Sequence, residues 1–291
     1  MRDFEYIAPK TVKETLDVLD EYQEDCKIIA GGQSLLNILK QGLMAPEYII
    51  DIKNLEELNY IKFDEKDGLK IGATTTHRSV EFSDTIKEHY NVLSEMERHL
   101  ATVQIRNWGT IGGNLCIADP TGDVAPPLLA MDATVIIANK DGEREVTVLD
   151  FGVDYYETVV GPNELLTEIR VPVIPSNTGI AYLKYRIVEG DAPIVGAAVA
   201  FTLNEKGACK KARIGMGGVA PIPIRAEKAE KMFEGEKITD TLIEEAAKVA
   251  SEETTPIPDI VASAEYKKRV IGVYVKRAAK LALTRAEKAA N

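Results

Sequence analysis

The chain has 291 residues, of which 45% are hydrophobic and 28% charged, which fits two globular domains or one large subdivided domain. Its formal net charge of −11 opposes nonspecific binding to nucleic acid, which needs a basic face. No apolar run approaches the roughly 20 residues that a membrane-spanning helix needs, and residues 1–6 carry no apolar signal core, so the expected location is the cytoplasm.

Thr11 followed by Glu14 matches a capping box, and Val12, Leu16 and Leu19 share one helical face. Residues 27–30 read as a strand. A glycine turn follows at Gly31 and Gly32, then a short helix over 34–41 and a strand over 48–52. The unit is βαβ-like, but its glycines do not spell Gly-x-Gly-x-x-Gly. Residues 69–76 read as a strand ending on Thr74, Thr75 and Thr76, and 79–89 and 91–100 as two helices. A second glycine turn comes at Gly112 and Gly113. Asp119, Pro120, Thr121, Gly122 and Asp123 then form a tight loop that enters a helix over 124–131. Residues 133–138 and 145–149 make a hairpin around Lys140, Asp141 and Gly142. Beyond Pro172, strands are expected over 181–188, 195–203 and 211–216, with Gly207 in a turn. Helices follow over 226–233, 242–251 and 264–288, the last two separated by Pro256 and Pro258. Strands followed by helices describe an α+β module.

Paired glycines let a ligand approach the backbone and open angles closed to other residues, and Thr110 and Asn114 add short hydrogen-bonding side chains. Both pairs are read as turns at strand exits that together suit one long, doubly charged ligand. Backbone amides hold phosphate without side-chain cations, so the acidic balance does not oppose such a ligand. Asp123 is either an acceptor for ligand hydroxyls or the N-cap of the next helix. Arg106 is a phosphate partner or half of a surface salt bridge, and Trp108 a ring stack or a packing residue. Alternation puts Tyr182, Lys184 and Arg186 on one strand face, either solvated or against an electron-rich cofactor. Cys26, Cys116 and Cys209 lack Cys-x-x-Cys spacing and the three histidines are scattered, so no metal site is expected.

On these residues the whole chain resembles the flavin-binding subunit of molybdenum-containing hydroxylases. That family includes the medium subunit of aerobic carbon monoxide dehydrogenase and the flavin domain of xanthine dehydrogenase. The resemblance is carried by Phe4 to Pro9, by Ala30 to Leu35, most specifically by Gln104 to Asn114, and by Asp119, Pro120, Asp123, Glu164, Leu165, Leu166 and Lys184. It implies an α+β fold: a two-lobed FAD-binding domain over 1–175, followed by a C-terminal antiparallel sheet with helices over 176–291. The two lobes are a small α/β subdomain of about 1–55 and a larger mixed one of 56–175. FAD is implied between them. Ala30, Gly31, Gly32, Gln33 and Ser34, flanked by Ile29 and Leu35, would hold its diphosphate and ribityl chain together with Thr110, Ile111, Gly112, Gly113 and Asn114. Asp123 would bind polar groups of the cofactor, Leu166 and Lys184 would lie by the isoalloxazine, and Tyr182 would shield the ring face.

The implied activity is that of an oxidoreductase subunit with no catalytic base of its own. A molybdopterin-binding large subunit would oxidise the substrate, and 2Fe-2S clusters on a small subunit would pass single electrons. The FAD here would collect two and release them to NAD or another acceptor. Some members carry an extra cysteine-bound cluster in this subunit; three cysteines cannot supply its four ligands, so none is expected. Two alternatives stand beside this reading. One is a self-sufficient flavin oxidoreductase of the wider FAD-binding superfamily, and the other a non-catalytic assembly subunit that has lost its flavin.

Overall fold

The structure, a computed structural model, describes residues 2–290; Met1 and Asn291, end points of the expected domain ranges, lie outside them. The first lobe runs β1 (Glu5–Ile7), α1 (Val12–Tyr22), β2 (Cys26–Ile29), α2 (Leu35–Lys40) and β3 (Tyr48–Asp51). Its strands are parallel, in the order β1-β3-β2. Thr11 Oγ1 accepts the Glu14 N–H at 3.1 Å, and the Glu14 carboxylate turns back to accept from the Lys10 N–H at 2.7 Å. Together they fix where α1 begins. Leu16 and Leu19 of that helix pack against Ile50 and Ile52.

The second lobe contains β4 (Ile61–Asp64), β5 (Gly68–Gly72), α3 (His77–Phe82), α4 (Asp84–His89), α5 (Asn91–His99), α6 (Val103–Trp108), α7 (Ile111–Ile117) and α8 (Ala125–Ala130). It continues with β6 (Thr134–Asn139), β7 (Gly142–Thr147), α9 (Val148–Phe151), β8 (Gly152–Asp154), β9 (Glu157–Thr158) and β10 (Leu165–Val171). An antiparallel sheet runs β4-β5-β10-β6-β7. Its central strand, β10, is absent from the sequence-based expectation. Six of its seven residues are buried, so it lacks the alternation that marks a half-buried strand. The strand expected over 69–76 stops at Gly72, where a Cβ would press into the Leu58 carbonyl. Thr76 caps α3 instead, accepting from the Ser79 N–H at 3.1 Å. The single helix expected over 79–89 divides at Ser83, whose hydroxyl caps α4 through the Ile86 N–H at 3.3 Å.

The third part is an antiparallel sheet, β11 (Thr178–Tyr185), β12 (Val195–Leu203), β13 (Cys209–Gly217) and β14 (Ile224–Arg225), followed by α10 (Glu227–Lys231), α11 (Asp240–Glu252) and α12 (Ala264–Ala290). Every residue of β12 is buried because both faces are covered. Ala197, Val199 and Phe201 join the alanines of α12 in one core, whereas Ala198 and Ala200 meet Ala130 of α8. Gly179 admits α12 closely, since a Cβ there would stand 2.9 Å from the Ala286 Cα. Among the described residues no helix is long and apolar enough to cross a membrane.

Candidate functional site

A cleft of about 840 Å³ opens between the first and second lobes, within the range of sites for small molecules and cofactors. One wall begins where β2 ends. Ile29, Ala30, Gly31, Gly32, Gln33, Ser34 and Leu35 all line it. Gly32 has φ +69°, a left-handed conformation that favours glycine. The amides of five consecutive residues, Gly31 to Leu35, have no acceptor among the described residues. Successive unpaired N–H groups beside a cleft are a ready site for an anion. Gln33 steadies the loop by donating its Nε2–H to the Gly31 carbonyl at 3.0 Å.

The opposite wall differs from the expected turn. Gly112 and Gly113 do not follow a strand; they lie in the first turn of α7, preceded by a further short helix, α6. A glycine pair signals a turn in sequence, but Thr110 here caps a helix, accepting from the Gly113 N–H at 3.1 Å. The other early amides are also satisfied, Ile111 by the Thr75 carbonyl and Gly112 by the Ala73 carbonyl, each at 3.0 Å. This wall therefore offers side chains and shape rather than free amides.

The glycines admit protein as well as ligand. A Gly112 Cβ would stand 2.6 Å from the Ala73 carbonyl oxygen and 2.8 Å from Leu166 Cδ2. A Gly31 Cβ would press on the Trp108 carbonyl and stand 2.6 Å from the Gly109 Cα, so Gly31 brings the two walls together. At Gly113, apart from the helix's own backbone and the chain neighbours, only Thr110 Oγ1 among the described residues lies within 4 Å of the missing atom, at 2.7 Å, and Gly113 faces the cleft. Replacing Gly112 by alanine is expected to cost about 1–3 kcal/mol through overpacking. Denaturant unfolding of the flavin-free chain measures this, and an unshifted midpoint would refute the packing role.

Asp123 lines the cleft and is not a helix cap, since α8 has no side-chain cap. Its carboxylate accepts from the Tyr182 hydroxyl at 2.7 Å and from Lys184 Nζ at 2.8 Å. Lys184 also donates to the Asp191 carbonyl at 3.0 Å. The Lys184 and Asp123 side chains are only 2% and 6% exposed. Burial pushes the Asp123 carboxyl up, while Lys184 and the Tyr182 hydroxyl pull it back. Burial and the neighbouring Asp123 push the Tyr182 phenol up as well, which keeps it a donor.

Asn114, Thr110, Leu166 and Glu164 line the cleft with Asp123. Ile111 is fully buried in the core of the second lobe, and Tyr182 and Lys184 stand behind Asp123 rather than in the lining. Arg106 is a buried strut and makes no surface salt bridge. Its Nε donates to Glu81 Oε2 at 3.0 Å and its Nη1 to the Leu100 carbonyl at 2.7 Å. Trp108 is half exposed beneath Lys53 Nζ, 3.7 Å from its ring centre. Among the described residues no group of three or more His, Cys, Asp or Glu side chains is placed to hold a metal ion.

Two residues that sequence reasoning passed over belong to this site. His77 lines the cleft and is held by the fully buried Glu97 at 3.0 Å. No spacing signal links them across twenty positions. Strain gathers here too: Gln23, Ala101 and Tyr156 are non-glycine residues with positive φ that line the cleft, and such conformations cluster at functional sites.

Comparison with known proteins decides the family. Residues 2–174 match the family profile of the FAD binding domain in molybdopterin dehydrogenase. The chain belongs to that family. Residues 180–282 match the carbon monoxide dehydrogenase flavoprotein C-terminal domain. The chain is 35% identical to the 6-hydroxypseudooxynicotine dehydrogenase complex subunit alpha of Paenarthrobacter nicotinovorans, over 97% of this chain and 95% of that one. It is 34% identical to the carbon monoxide dehydrogenase medium chain of Afipia carboxidovorans, over 98% of each. The solved carbon monoxide dehydrogenase of Hydrogenophaga pseudoflava superposes with a TM-score of 0.94 at 34% identity, covering 98% of both chains. This flavoprotein chain is thus an FAD-carrying medium subunit of an oxidoreductase. The cleft fits that cofactor: free amides suit a diphosphate, and its volume and partly apolar lining suit a large ligand with ring systems.

Proposed function

We propose that FAD occupies the cleft between the two lobes and that the chain relays electrons within a molybdenum hydroxylase complex. The run of free amides from Gly31 to Leu35 carries this reading. Those amides hold the diphosphate, with Ile29 and Ala30 positioning them at the end of β2. Thr110, Gly113 and Asn114 bind along the ribityl chain, and Ile111 and Gly112 anchor them to the core. Leu166 and Asp123 face the ring system, and Tyr182 and Lys184 fix the charge of Asp123. Bound FAD supplies a two-electron store between single-electron donors and the final acceptor. A buried Lys184–Asp123 pair close by sets the field in which that charge develops.

The partners proposed are a large molybdopterin-binding subunit and a small 2Fe-2S subunit, with NAD or another acceptor receiving the electrons in the cytoplasm. The division near residue 175 separates the FAD-binding part from the C-terminal part, as the separate sheets support. Purified chain reconstituted with FAD is expected to show flavin absorbance and to release all of it on acid precipitation. Flavin remaining in the pellet favours the self-sufficient oxidoreductase, and no absorbance favours the flavin-free assembly subunit. Isolation of the native complex with its metals and subunits tests the partners.

A further inference from the structure

His77 and Glu97 have no part in the reading above, yet they sit where its two walls meet. The His77 N–H donates to the Gly109 carbonyl at 3.0 Å. A Cβ placed on Gly109 would stand 3.0 Å from His77 Cδ2 and 3.5 Å from Gln33 Cγ. Gly31 packs against the same Gly109. The imidazole is thus next to the loop of free amides while belonging to the opposite lobe. It is 3% exposed.

Its Nδ1 is 3.0 Å from Glu97 Oε1. Glu97 is fully buried, and its Oε2 has no hydrogen-bond partner. His77 Nε2 likewise has no protein partner among the described residues, and it is not enclosed as Glu97 Oε2 is. The charged groups around the pair are already engaged: Arg106 and Arg78 with Glu81, and Asp123 with Lys184. The rest of the cleft lining is acidic on balance, with Glu24, Asp119, Asp123 and Glu164 against Lys27 alone. A dianionic ligand therefore has little side-chain compensation except at this imidazole.

We propose that His77, oriented by Glu97, donates its Nε2–H to the diphosphate of FAD where the two walls meet. The inference rests on the placement of FAD in this cleft. The pair works as a donor for as long as it keeps one shared proton. With that proton on the ring, the imidazolium donates from both nitrogens. With it on Glu97, the carboxyl donates to Nδ1 and the neutral ring carries its hydrogen on Nε2. Either form presents Nε2–H, and the pair is uncharged overall. Loss of the proton leaves Nδ1–H bound to the carboxylate, turns Nε2 into an acceptor, and gives the pair a net negative charge facing phosphate. Burial pushes the Glu97 carboxyl up, opposed by His77, and so retains the proton toward higher pH.

Binding is measured on the flavin-free full-length chain, with FAD and with riboflavin as a phosphate-free probe, between about pH 6 and pH 9. Wild-type affinity for FAD is expected to fall as pH rises, and affinity for riboflavin to stay level. The double variant His77→Leu/Glu97→Leu removes the pair without leaving a buried charge. It is expected to bind FAD about tenfold more weakly at low pH, the loss of one charge-assisted hydrogen bond. Its FAD affinity should not vary with pH, and its riboflavin affinity should match wild type. Glu97→Gln, whose amide donates to Nδ1 and cannot titrate, is expected to keep tight FAD binding across the range. Equal FAD binding by wild type and double variant overturns this inference alone. Equal losses for FAD and riboflavin overturn it too, because they report general loosening. Failure of wild type to bind FAD overturns the proposed function as well.

Discussion

Valine in place of Gly31 is expected to abolish FAD retention. The first atom of the new side chain would press on the Trp108 carbonyl and stand 2.6 Å from the Gly109 Cα. Both are backbone, so no rotamer change relieves the clash. The two walls must part, and the amides of Gly31 to Leu35 move away from the cofactor. Losing two hydrogen bonds to a charged group, at about 1.5–3 kcal/mol each, weakens binding roughly 100-fold or more at 1.4 kcal/mol per decade. Equilibrium binding of FAD to the reconstituted chain measures the effect. Gly113→Ala is the graded comparison: its Cβ presses on the Thr110 hydroxyl and not on the backbone of the other wall, so the walls should stay together and the loss of FAD affinity should be smaller than for Gly31→Val. A Gly31→Val chain that holds FAD as wild type does would show that the contact between the walls is dispensable.

Methionine in place of Lys184 is expected to destabilise the chain by about 3–5 kcal/mol, the usual cost of removing one member of a buried ion pair. The methionine fills the space but leaves Asp123, 6% exposed at its side chain, with the Tyr182 hydroxyl as its only side-chain hydrogen-bond partner among the described residues. The double variant Lys184→Met/Asp123→Asn should recover much of that loss, since no charge is then stranded. Denaturant unfolding of the apo chains reads both effects. In protein that still binds FAD, Lys184→Met should also shift the flavin reduction potential. A single variant as stable as wild type would mean that Asp123 is protonated or hydrated, and the pair would then contribute nothing.

Much of the fold could be read from the residues. Thr11 and Glu14 announce α1, Gly207 marks the tight turn before β13, and the pattern of 264–288 places α12 with its end extended to Ala290. What the sequence concealed has physical causes. β10 is buried on both sides and shows no period. Ser83 hides a break between α3 and α4 because serine is ordinary inside a helix until its hydroxyl is seen capping. At the site, paired glycines were legible as backbone exposure, but sequence could not distinguish a ligand's approach from that of a protein neighbour. Gly112 and Gly31 turn out to face protein atoms. His77 with Glu97, and Arg106 with Glu81, are pairings between helices, and only the packing of α3, α5 and α6 reveals them.

Tyr182 and Lys184 ride on β11, yet the acid they hold lies in the lining of the cleft. A chain cut after residue 175 would keep all five free amides and still strand Asp123 without its counter-ion. The C-terminal sheet is therefore no detachable appendage.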